Sequence, residues 1–266
     1  MVKIIAEIGW NHCGDMNLAK EMILAAHNSG ADYAKFQTWS VDRLKSGSWD
    51  YDGRRQIYEK AELTHEKHLE LKKYCELIGI KFLSSVFSIE DAKMLVKIGC
   101  KEVKIPSFES RNEALIAYCL KNFKTVFMST GTSSYDEIRN VYEKINHESF
   151  YLLHCVSSYP CKPDIANIPK MLKLKQLTEK IGYSDHIQGV ESAKVAIEFG
   201  AKVIEKHFTT DNDLPGRDNK FAILPSDMKN LSNYIKLRNE MLIDHGSGYQ
   251  SCEKDSRENY AGRFDG

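Results

Sequence analysis

Short apolar segments alternate with helix-like segments along most of the chain, and this alternation restricts the possible folds more than any other feature. The segments recur roughly every 25–35 residues, a spacing typical of βα units that build a parallel sheet. Eight consecutive units fit into about 245 residues, which is the size of a (β/α)8 barrel. We therefore predict an α/β fold, a single-domain (β/α)8 TIM barrel over residues 1–245, and a linker-like tail over residues 246–266.

The limits of these units follow from the hydrophobic pattern and from the glycines and capping residues between them. The predicted strands are 3–9, 32–38, 80–84, 102–105, 125–129, 150–155, 181–183 and 201–205. The predicted helices are 17–29, 64–78, 88–98, 112–122, 134–145, 168–178, 190–199 and 226–243. A doubly wound open sheet is the alternative, but it usually has a glycine-rich phosphate loop after its first strand, where this chain has EIGWNHCGD.

The composition excludes several other classes of protein. The 266 residues include 37 basic and 37 acidic side chains, so the net charge is zero and provides no generally basic surface for nucleic acid. No apolar stretch approaches the ~20 residues that span a bilayer, and we therefore expect no membrane segment. The seven cysteines include no C-x-x-C pair, which favours reduced thiols in a cytoplasmic protein.

Charged residues lie within otherwise apolar predicted strands, such as Glu7 in AEIG and Lys35 in YAKFQT. In a parallel barrel the active site lies at the carboxyl ends of the strands, where Lys35 and Lys104 are found. A lysine in a barrel interior is costly unless it is paired or faces a ligand. The two lysines therefore indicate an anionic ligand such as a phosphate or a carboxylate. The alternative is a buried ion pair, for instance Lys35 with Glu7.

Two histidines follow consecutive predicted strands. Adjacent strands lie about 4.8 Å apart, so the imidazoles of His186 and His207 can reach one divalent metal ion. Two nitrogen ligands that leave positions open for water and substrate suit a catalytic metal. The alternative is that both are hydrogen-bonded core histidines.

Further polar residues follow the other strands. Glu109 is a candidate for proton transfer, with an exposed loop glutamate as the alternative. Cys155 beside His154 is a poor candidate for a thiol nucleophile, because neighbours on a strand face opposite sides. Small hydroxyl donors, which a phosphate pocket needs, come from five strand ends: Ser85, Ser107, Ser129, Ser157 and Ser184.

The longer motifs carry a resemblance to a known family. They are AEIGWNHCGDMNLAKEMILAAHNSGADYAKFQTW, FLSSVFSIEDAKML, VKIPSFESRNEALI, VFMSTGTSSYDEI, LLHCVSSYP and IGYSDHIQGVESAKVAIEFGAKVIEKHFTTDNDLPGRD. They occur in order over nearly all of the predicted barrel and resemble the sialic acid (N-acetylneuraminate) synthase family. That family has a TIM barrel fold and condenses phosphoenolpyruvate with an N-acylated amino sugar.

The resemblance implies roles for the candidate residues. It implies a divalent ion, Mn²⁺ or else Mg²⁺ or Co²⁺, on His186 and His207, and an acid–base role for Glu109. Lys35 would act with these residues in catalysis. The phosphoenolpyruvate-binding set would be Lys35, Lys104, Ser85, Ser107, Ser129, Ser157, Tyr159 and Ser184. The sugar-facing set would be Glu7, Gln37 and Asp218.

The implied reaction joins C3 of phosphoenolpyruvate to the aldehyde carbon of the sugar. Water then adds at C2 and phosphate leaves, giving a nonulosonic acid. Three alternatives remain open: a synthase acting on a different, non-N-acylated aldehyde, a pyruvate-dependent Schiff-base aldolase, and a non-catalytic phosphoenolpyruvate-binding or regulatory homologue.

The chain departs from the family pattern at three positions. Family members commonly have Asp-His where this chain has Asp218–Asn219, Pro in place of Arg217, and Asn in place of Ser157. Typical members also continue into a small antifreeze-like domain that covers the partner's site in a homodimer, and residues 251–263 resemble the linker to that domain. The acceptor thus stays open between a mannosamine derivative, a diamino-dideoxyhexose and another aldehyde.

Overall fold

The computed structural model describes residues 2–145 and 148–264. Residues 1 and 146–147 of the predicted barrel and residues 265–266 of the predicted tail lie outside the described residues. Eight parallel strands close into a barrel in which each strand pairs with the next and the eighth pairs with the first. Helices connect the strands, and the predicted single-domain (β/α)8 TIM barrel is confirmed.

The strands are Lys3–Gly9 (β1), Tyr33–Thr38 (β2), Lys81–Val86 (β3), Glu102–Ile105 (β4), Thr125–Ser129 (β5), Phe150–Cys155 (β6), Ile181–Asp185 (β7) and Val203–His207 (β8). The helices are Met16–Asn28 (α1), Arg54–Ala61 (α2), His65–Ile78 (α3), Ile89–Lys97 (α4), Glu113–Asn122 (α5), Tyr135–Ile145 (α6), Lys170–Lys175 (α7), Glu191–Glu198 (α8), Pro225–Met241 (α9) and Lys254–Asn259 (α10).

Local signals in the sequence set the ends of several helices. The side chain of Thr64 accepts a hydrogen bond from the amide of Lys67 and caps α3, as predicted. Gly79 ends α3 in the left-handed conformation (φ 85°), which glycine adopts without steric cost. Only two residues separate α3 from β3, so the turn at Gly79 leads the chain directly back to the sheet.

The barrel interior is layered, because every second residue of a strand faces inward. Its lower layer is apolar and consists of Ile5, Tyr33, Leu83, Phe127, Leu153 and Val203. Two residues further along the same strands, the inward side chains are Glu7, Lys35, Ser85, Ser129, Cys155 and Glu205. An apolar plug thus closes one end of the barrel, and polar groups are concentrated at the carboxyl ends of the strands.

Two helices lie where the sequence predicted none. Helix α2 forms within the long polar segment between β2 and α3, and α10 forms within the predicted tail. Neither has a buried apolar stripe, since Ala61 is the one buried residue of α2 and every residue of α10 is exposed. Hydrophobic periodicity, the main sequence signal for a helix, is therefore absent from both.

Further sequence predictions concern the membrane and the cysteines. Among the described residues, no helix is both long and apolar enough to cross a bilayer. All seven cysteines are free, which agrees with the prediction of reduced thiols. His154 points away from the barrel interior and contacts the carbonyl oxygen of Ala166 (2.8 Å), whereas Cys155 faces the interior, as expected for strand neighbours.

Candidate active site

A cavity of about 460 Å³ opens at the carboxyl ends of the barrel strands. Twelve of the predicted site residues line it: Glu7, Lys35, Gln37, Ser85, Lys104, Ser107, Ser129, Tyr159, Ser184, His186, His207 and Asp218. They come from all eight strands or from the loops that directly follow them. The structure thus brings together side chains that are far apart in the sequence.

The first lysine at the bottom of this cavity has a close counter-ion. Lys35 Nζ lies 2.5 Å from Glu7 Oε2, and both side chains are almost completely buried. Gln37 Nε2 donates to the other oxygen of Glu7 at 2.7 Å. Burial raises the pKa of Glu7, while the Lys35 ammonium opposes that rise. The ion pair that the sequence left as an alternative is present, and it lies inside the ligand-sized cavity.

The second lysine is held by a different set of groups. Lys104 Nζ donates to Ser129 Oγ at 2.6 Å and lies 3.4 Å from Glu205 Oε1. Ser184 Oγ donates to the same carboxylate oxygen at 2.9 Å. Burial lowers the pKa of Lys104, whereas the carboxylate of Glu205 opposes this. Burial acts to raise the pKa of Glu205, but the ammonium groups of Lys104 and Lys35 hold it well below its usual range.

The two histidines lie side by side at the rim, with ring centroids 5.3 Å apart. His186 Nδ1 lies 2.8 Å from the carbonyl oxygen of Val156 and donates to it, so Nε2 is the acceptor when the ring is neutral. His207 Nδ1 is buried and has no hydrogen-bond partner among the described residues; Asp218 Oδ2 lies 3.7 Å away. Burial, aided by the nearby cations, lowers the pKa of His207 far below its usual value, which keeps its imidazole neutral.

These histidines have the features that a metal ligand needs. A backbone carbonyl orients His186, and an unpartnered buried nitrogen is available on His207. In the part of the chain that the structure describes, no group of three or more histidine, cysteine, aspartate or glutamate side chains is arranged to hold a metal. An ion at this position would therefore have two protein ligands and would need substrate or water for the others.

Tyr159 and Asp218 complete the rim around the histidines. The Tyr159 ring centroid lies 4.1 Å from that of His186, and burial raises the pKa of the phenol. Burial also raises the pKa of Asp218 to about 6, although Arg217 opposes the shift. Arg217 itself lines the cavity and donates weakly to the Tyr159 carbonyl oxygen, at 3.3 Å.

Two predicted residues do not line the cavity. Glu109 lies in a short 3₁₀ turn, Ser107–Glu109, and its Oε2 accepts a hydrogen bond from the side chain of Asn112 at 2.8 Å. Ser157 is half-buried, and its Oγ lies 3.9 Å from Sγ of Cys155, which lines the cavity. A Cβ on Gly131 would lie 2.5 Å from Ser157 Oγ and 2.7 Å from Ser107 Oγ, so a larger residue there would displace these hydroxyl groups.

Sequence reasoning misses part of this site. Glu205 lies at a predicted strand end, but the sequence indicates no role for it, although it contacts both lysines. Glu205 and His207 are two residues apart on one strand and therefore face the same side, so the inward orientation of Glu205 can be inferred from the sequence. The aromatic residues at the cavity mouth are also missed, since no local pattern shows that they converge: Trp10, Trp39, Trp49, Tyr58 and Phe108.

Comparison with known proteins places the chain in a family. Residues 22–246 match the NeuB family model. The chain belongs to the NeuB family. It is 36% identical over 252 residues to the N,N'-diacetyllegionaminic acid synthase of Legionella pneumophila, a match that covers 88% of this chain and 71% of the relative. It is 30% identical over 264 residues to the N-acetylneuraminate-9-phosphate synthase of Mus musculus, covering 94% and 74% of the two chains.

Solved structures agree with the family assignment. The N-acetylneuraminic acid (sialic acid) synthetase of Leptospira borgpetersenii, solved in complex with citrate, superposes with a TM-score of 0.85 and 32% identity. The superposition covers 99% of this chain and 92% of that one. Membership confirms the resemblance drawn from the motifs and identifies this NeuB-family chain as an enzyme of the sialic acid synthase kind.

Proposed function

We propose that this NeuB-family barrel condenses phosphoenolpyruvate with an aldehyde amino sugar and releases phosphate, giving a nonulosonic acid. The observation that supports this most strongly is the presence, in one cavity, of two buried lysines and two neighbouring histidines. The first pair suits an anionic substrate and the second suits a metal-assisted carbonyl reaction. The names of the relatives point to the same class of product.

Phosphoenolpyruvate would occupy the bottom of the cavity. Its phosphate and carboxylate would meet the ammonium groups of Lys35 and Lys104 and the hydroxyl groups of Ser85, Ser107, Ser129 and Ser184. Because Glu7 and Glu205 already pair with these lysines, the substrate's anionic groups would share or compete for the ammonium N–H donors. C3 of the substrate then attacks the aldehyde carbon, water adds at C2, and the C2–O bond to phosphate breaks.

His186 and His207 would hold a divalent ion, with Mn²⁺ proposed and Mg²⁺ and Co²⁺ as the alternatives. When bound, such an ion supplies Lewis-acid polarisation of the acceptor's aldehyde oxygen. The protein's own contribution is to keep His207 neutral through burial and to orient His186 through the Val156 carbonyl. Glu7, Gln37, Tyr159 and Asp218 line the remaining polar part of the cavity, where the hydroxyl groups of the sugar would lie.

The proton-transfer role proposed for Glu109 depends on a movement of its loop. Its carboxylate is engaged by Asn112, whereas its neighbour Phe108 lines the cavity. Ser157 would act indirectly, through its hydrogen bond with the phenol of Tyr159, which lines the cavity. A cytoplasmic location and a homodimeric assembly also stay predictions.

A phosphate-release assay tests the proposed function. The chain is incubated with phosphoenolpyruvate, Mn²⁺ and a series of hexosamine and diamino-sugar aldehydes, with acceptor-free reactions as controls. We expect acceptor-dependent phosphate release for at least one member of the series. Binding of phosphoenolpyruvate without release for any acceptor supports the non-catalytic alternative. A covalent lysine adduct after borohydride treatment with pyruvate supports the aldolase.

A further inference from the structure

All three tryptophans of the chain surround one tyrosine at the mouth of the cavity. The ring centroids of Trp10, Trp39 and Trp49 lie 5.8, 5.5 and 5.8 Å from that of Tyr58. All four side chains line the cavity, and we call these four residues the aromatic wall. Such a concentration of large, rigid rings provides an extended apolar surface for a ligand.

The aromatic wall lies further out than the ion pairs. Trp10 and Trp39 follow the last residues of β1 and β2, whereas Glu7 and Lys35 lie within those strands. A ligand that spans the cavity thus meets charged groups at one end and aromatic rings at the other. Leu44, Ile57 and Phe87 add further apolar surface to the mouth.

The cations around the aromatic wall are already engaged. Arg54 Nη2 lies 2.6 Å from Asp52 Oδ2. Arg55 lies 2.8 Å from both Asp50 Oδ1 and Glu59 Oε1. A phosphate group is best bound by several converging cationic or N–H donors, and here the carboxylates compete with a phosphate for the donors of the two arginines.

Arg217 also lines the mouth of the cavity, as Arg54 does. Its guanidinium carbon lies 5.8 Å from the centroid of the Tyr159 ring, and its Nη2 faces the Tyr159 carbonyl. The neighbouring carboxylate of Asp218 interacts with its charge. Both arginines that line the cavity, Arg54 and Arg217, thus lie beside a carboxylate, an arrangement that disfavours a doubly charged phosphate.

We propose that the aromatic wall binds the end of the acceptor sugar that is farthest from the aldehyde. It therefore selects an uncharged acceptor, with acylamino and deoxy carbons at that end, over an acceptor that carries a phosphate there. This inference rests on the proposed condensation. It concerns a property in which the relatives differ, since the name of one product includes a phosphate and the name of another includes two acetyl groups.

The first experiment compares acceptors on the complete chain. Rates of phosphate release are measured with phosphoenolpyruvate, Mn²⁺ and three aldehydes: an N-acetylated hexosamine, its 6-phosphate, and a diacetamido 6-deoxyhexose. We expect the diacetamido deoxy sugar to have a kcat/KM at least about tenfold above that of the phosphorylated sugar. A higher kcat/KM for the phosphorylated sugar than for its unphosphorylated counterpart overturns the proposal.

The second experiment uses two tyrosines of the same segment. Tyr58→Ala should raise the KM for the acceptor about tenfold and change the KM for phosphoenolpyruvate less than about twofold. Tyr51, which is 92% exposed and does not line the cavity, provides the control, and Tyr51→Ala should leave both constants unchanged. An equal rise in both KM values for Tyr58→Ala contradicts a role confined to the acceptor.

Tryptophan fluorescence separates failure of this inference from failure of the proposed function. All tryptophans of the chain lie in the aromatic wall, so their emission reports its occupancy without turnover. If no phosphate is released from phosphoenolpyruvate with any acceptor, the proposed condensation is wrong. If the aromatic wall nevertheless binds the acceptor as proposed, the uncharged sugars should change the tryptophan emission at lower concentrations than the phosphorylated sugar does. The reverse order, or no change with any sugar, overturns it.

Discussion

His186 and His207 differ in how much of their hydrogen-bonding capacity the protein uses. One nitrogen of His186 is bound to a backbone carbonyl, while Nδ1 of His207 is buried without a partner among the described residues. Leaving a polar atom buried and unpaired costs roughly 1–3 kcal/mol. A ligand that binds this nitrogen recovers that cost, and this is the physical basis for the proposed metal site.

Removal of either imidazole should therefore weaken metal binding. We expect His186→Ala and His207→Ala to lower the affinity for Mn²⁺ by roughly 100-fold or more, as measured by calorimetry or by the Mn²⁺ EPR signal. His245→Ala removes an exposed histidine and is the matched control. Unchanged Mn²⁺ affinity in both variants, with thermal unfolding like that of the wild type, contradicts the proposed ligands.

The residues that sequence reasoning can identify are those that depart from their local pattern. A lysine within an apolar strand, such as Lys35 or Lys104, can be identified from the residues next to it in the sequence. Its counter-ions are less visible, because Glu205 is far from both lysines along the chain and meets them only when the barrel closes. The distinction between an ion pair and a ligand site therefore cannot be made from the sequence.

At the scale of elements, the strands are more predictable than the long connections. Predicted and observed limits coincide for β1, β4, β5 and β6, where apolar runs are bounded by clear breaks. Strands β7 and β8 end two residues later than predicted, at Asp185 and His207, and β8 also begins two residues later. Site residues replace apolar ones at those ends, so the pattern that marks a strand is lost there.

Helix α3 contains a buried histidine that should make stability depend on pH. Burial lowers the pKa of His68 to about 4, and its ring is held between Thr38 Oγ1 at 2.8 Å and the Thr64 carbonyl at 2.9 Å. Between the unfolded pKa of 6.5 and about 4, the unfolded chain binds a proton that the folded chain does not. Stability is therefore lost as pH falls through this range, by at most roughly 3 kcal/mol.

Urea unfolding at a series of pH values between 7.5 and 4 tests this expectation. The free energy of unfolding of His68→Asn should fall less steeply with decreasing pH than that of the wild type. Part of the pH dependence of the free energy of unfolding should persist in His68→Asn, because burial also lowers the pKa of His12 to about 4. The control variant His245→Asn should show the same pH dependence of the free energy of unfolding as the wild type. Identical slopes for His68→Asn and the wild type would show that His68 is protonated equally in both states.

At the scale of the whole molecule, the closed barrel is separate from the segment that follows it. Every described residue from 240 to 264 is exposed, including Leu242, Ile243, Tyr249 and Tyr260. A segment that buries little apolar surface contributes little to the stability of a domain. The domain boundary near residue 245 stays a prediction, and this exposure supports it.

Removal of residues 247–266 should change the Tm of the barrel by no more than about 2 °C. Differential scanning calorimetry of the shortened and complete chains measures the change. As a control, Ile235→Ala removes a buried side chain of α9 and should lower the Tm clearly. A drop of more than about 5 °C on truncation would show that the segment packs against the barrel.

Above all, we propose that the residues of this cavity catalyse the condensation of phosphoenolpyruvate with an aldehyde sugar, with loss of phosphate. Mass spectrometry of the product, made in parallel with phosphate determination, tests it most directly. The account predicts one phosphate for each product molecule and a product mass equal to that of the acceptor plus pyruvic acid. Phosphate release without a product of this mass, or its formation from free pyruvate through a trapped lysine adduct, would contradict the account.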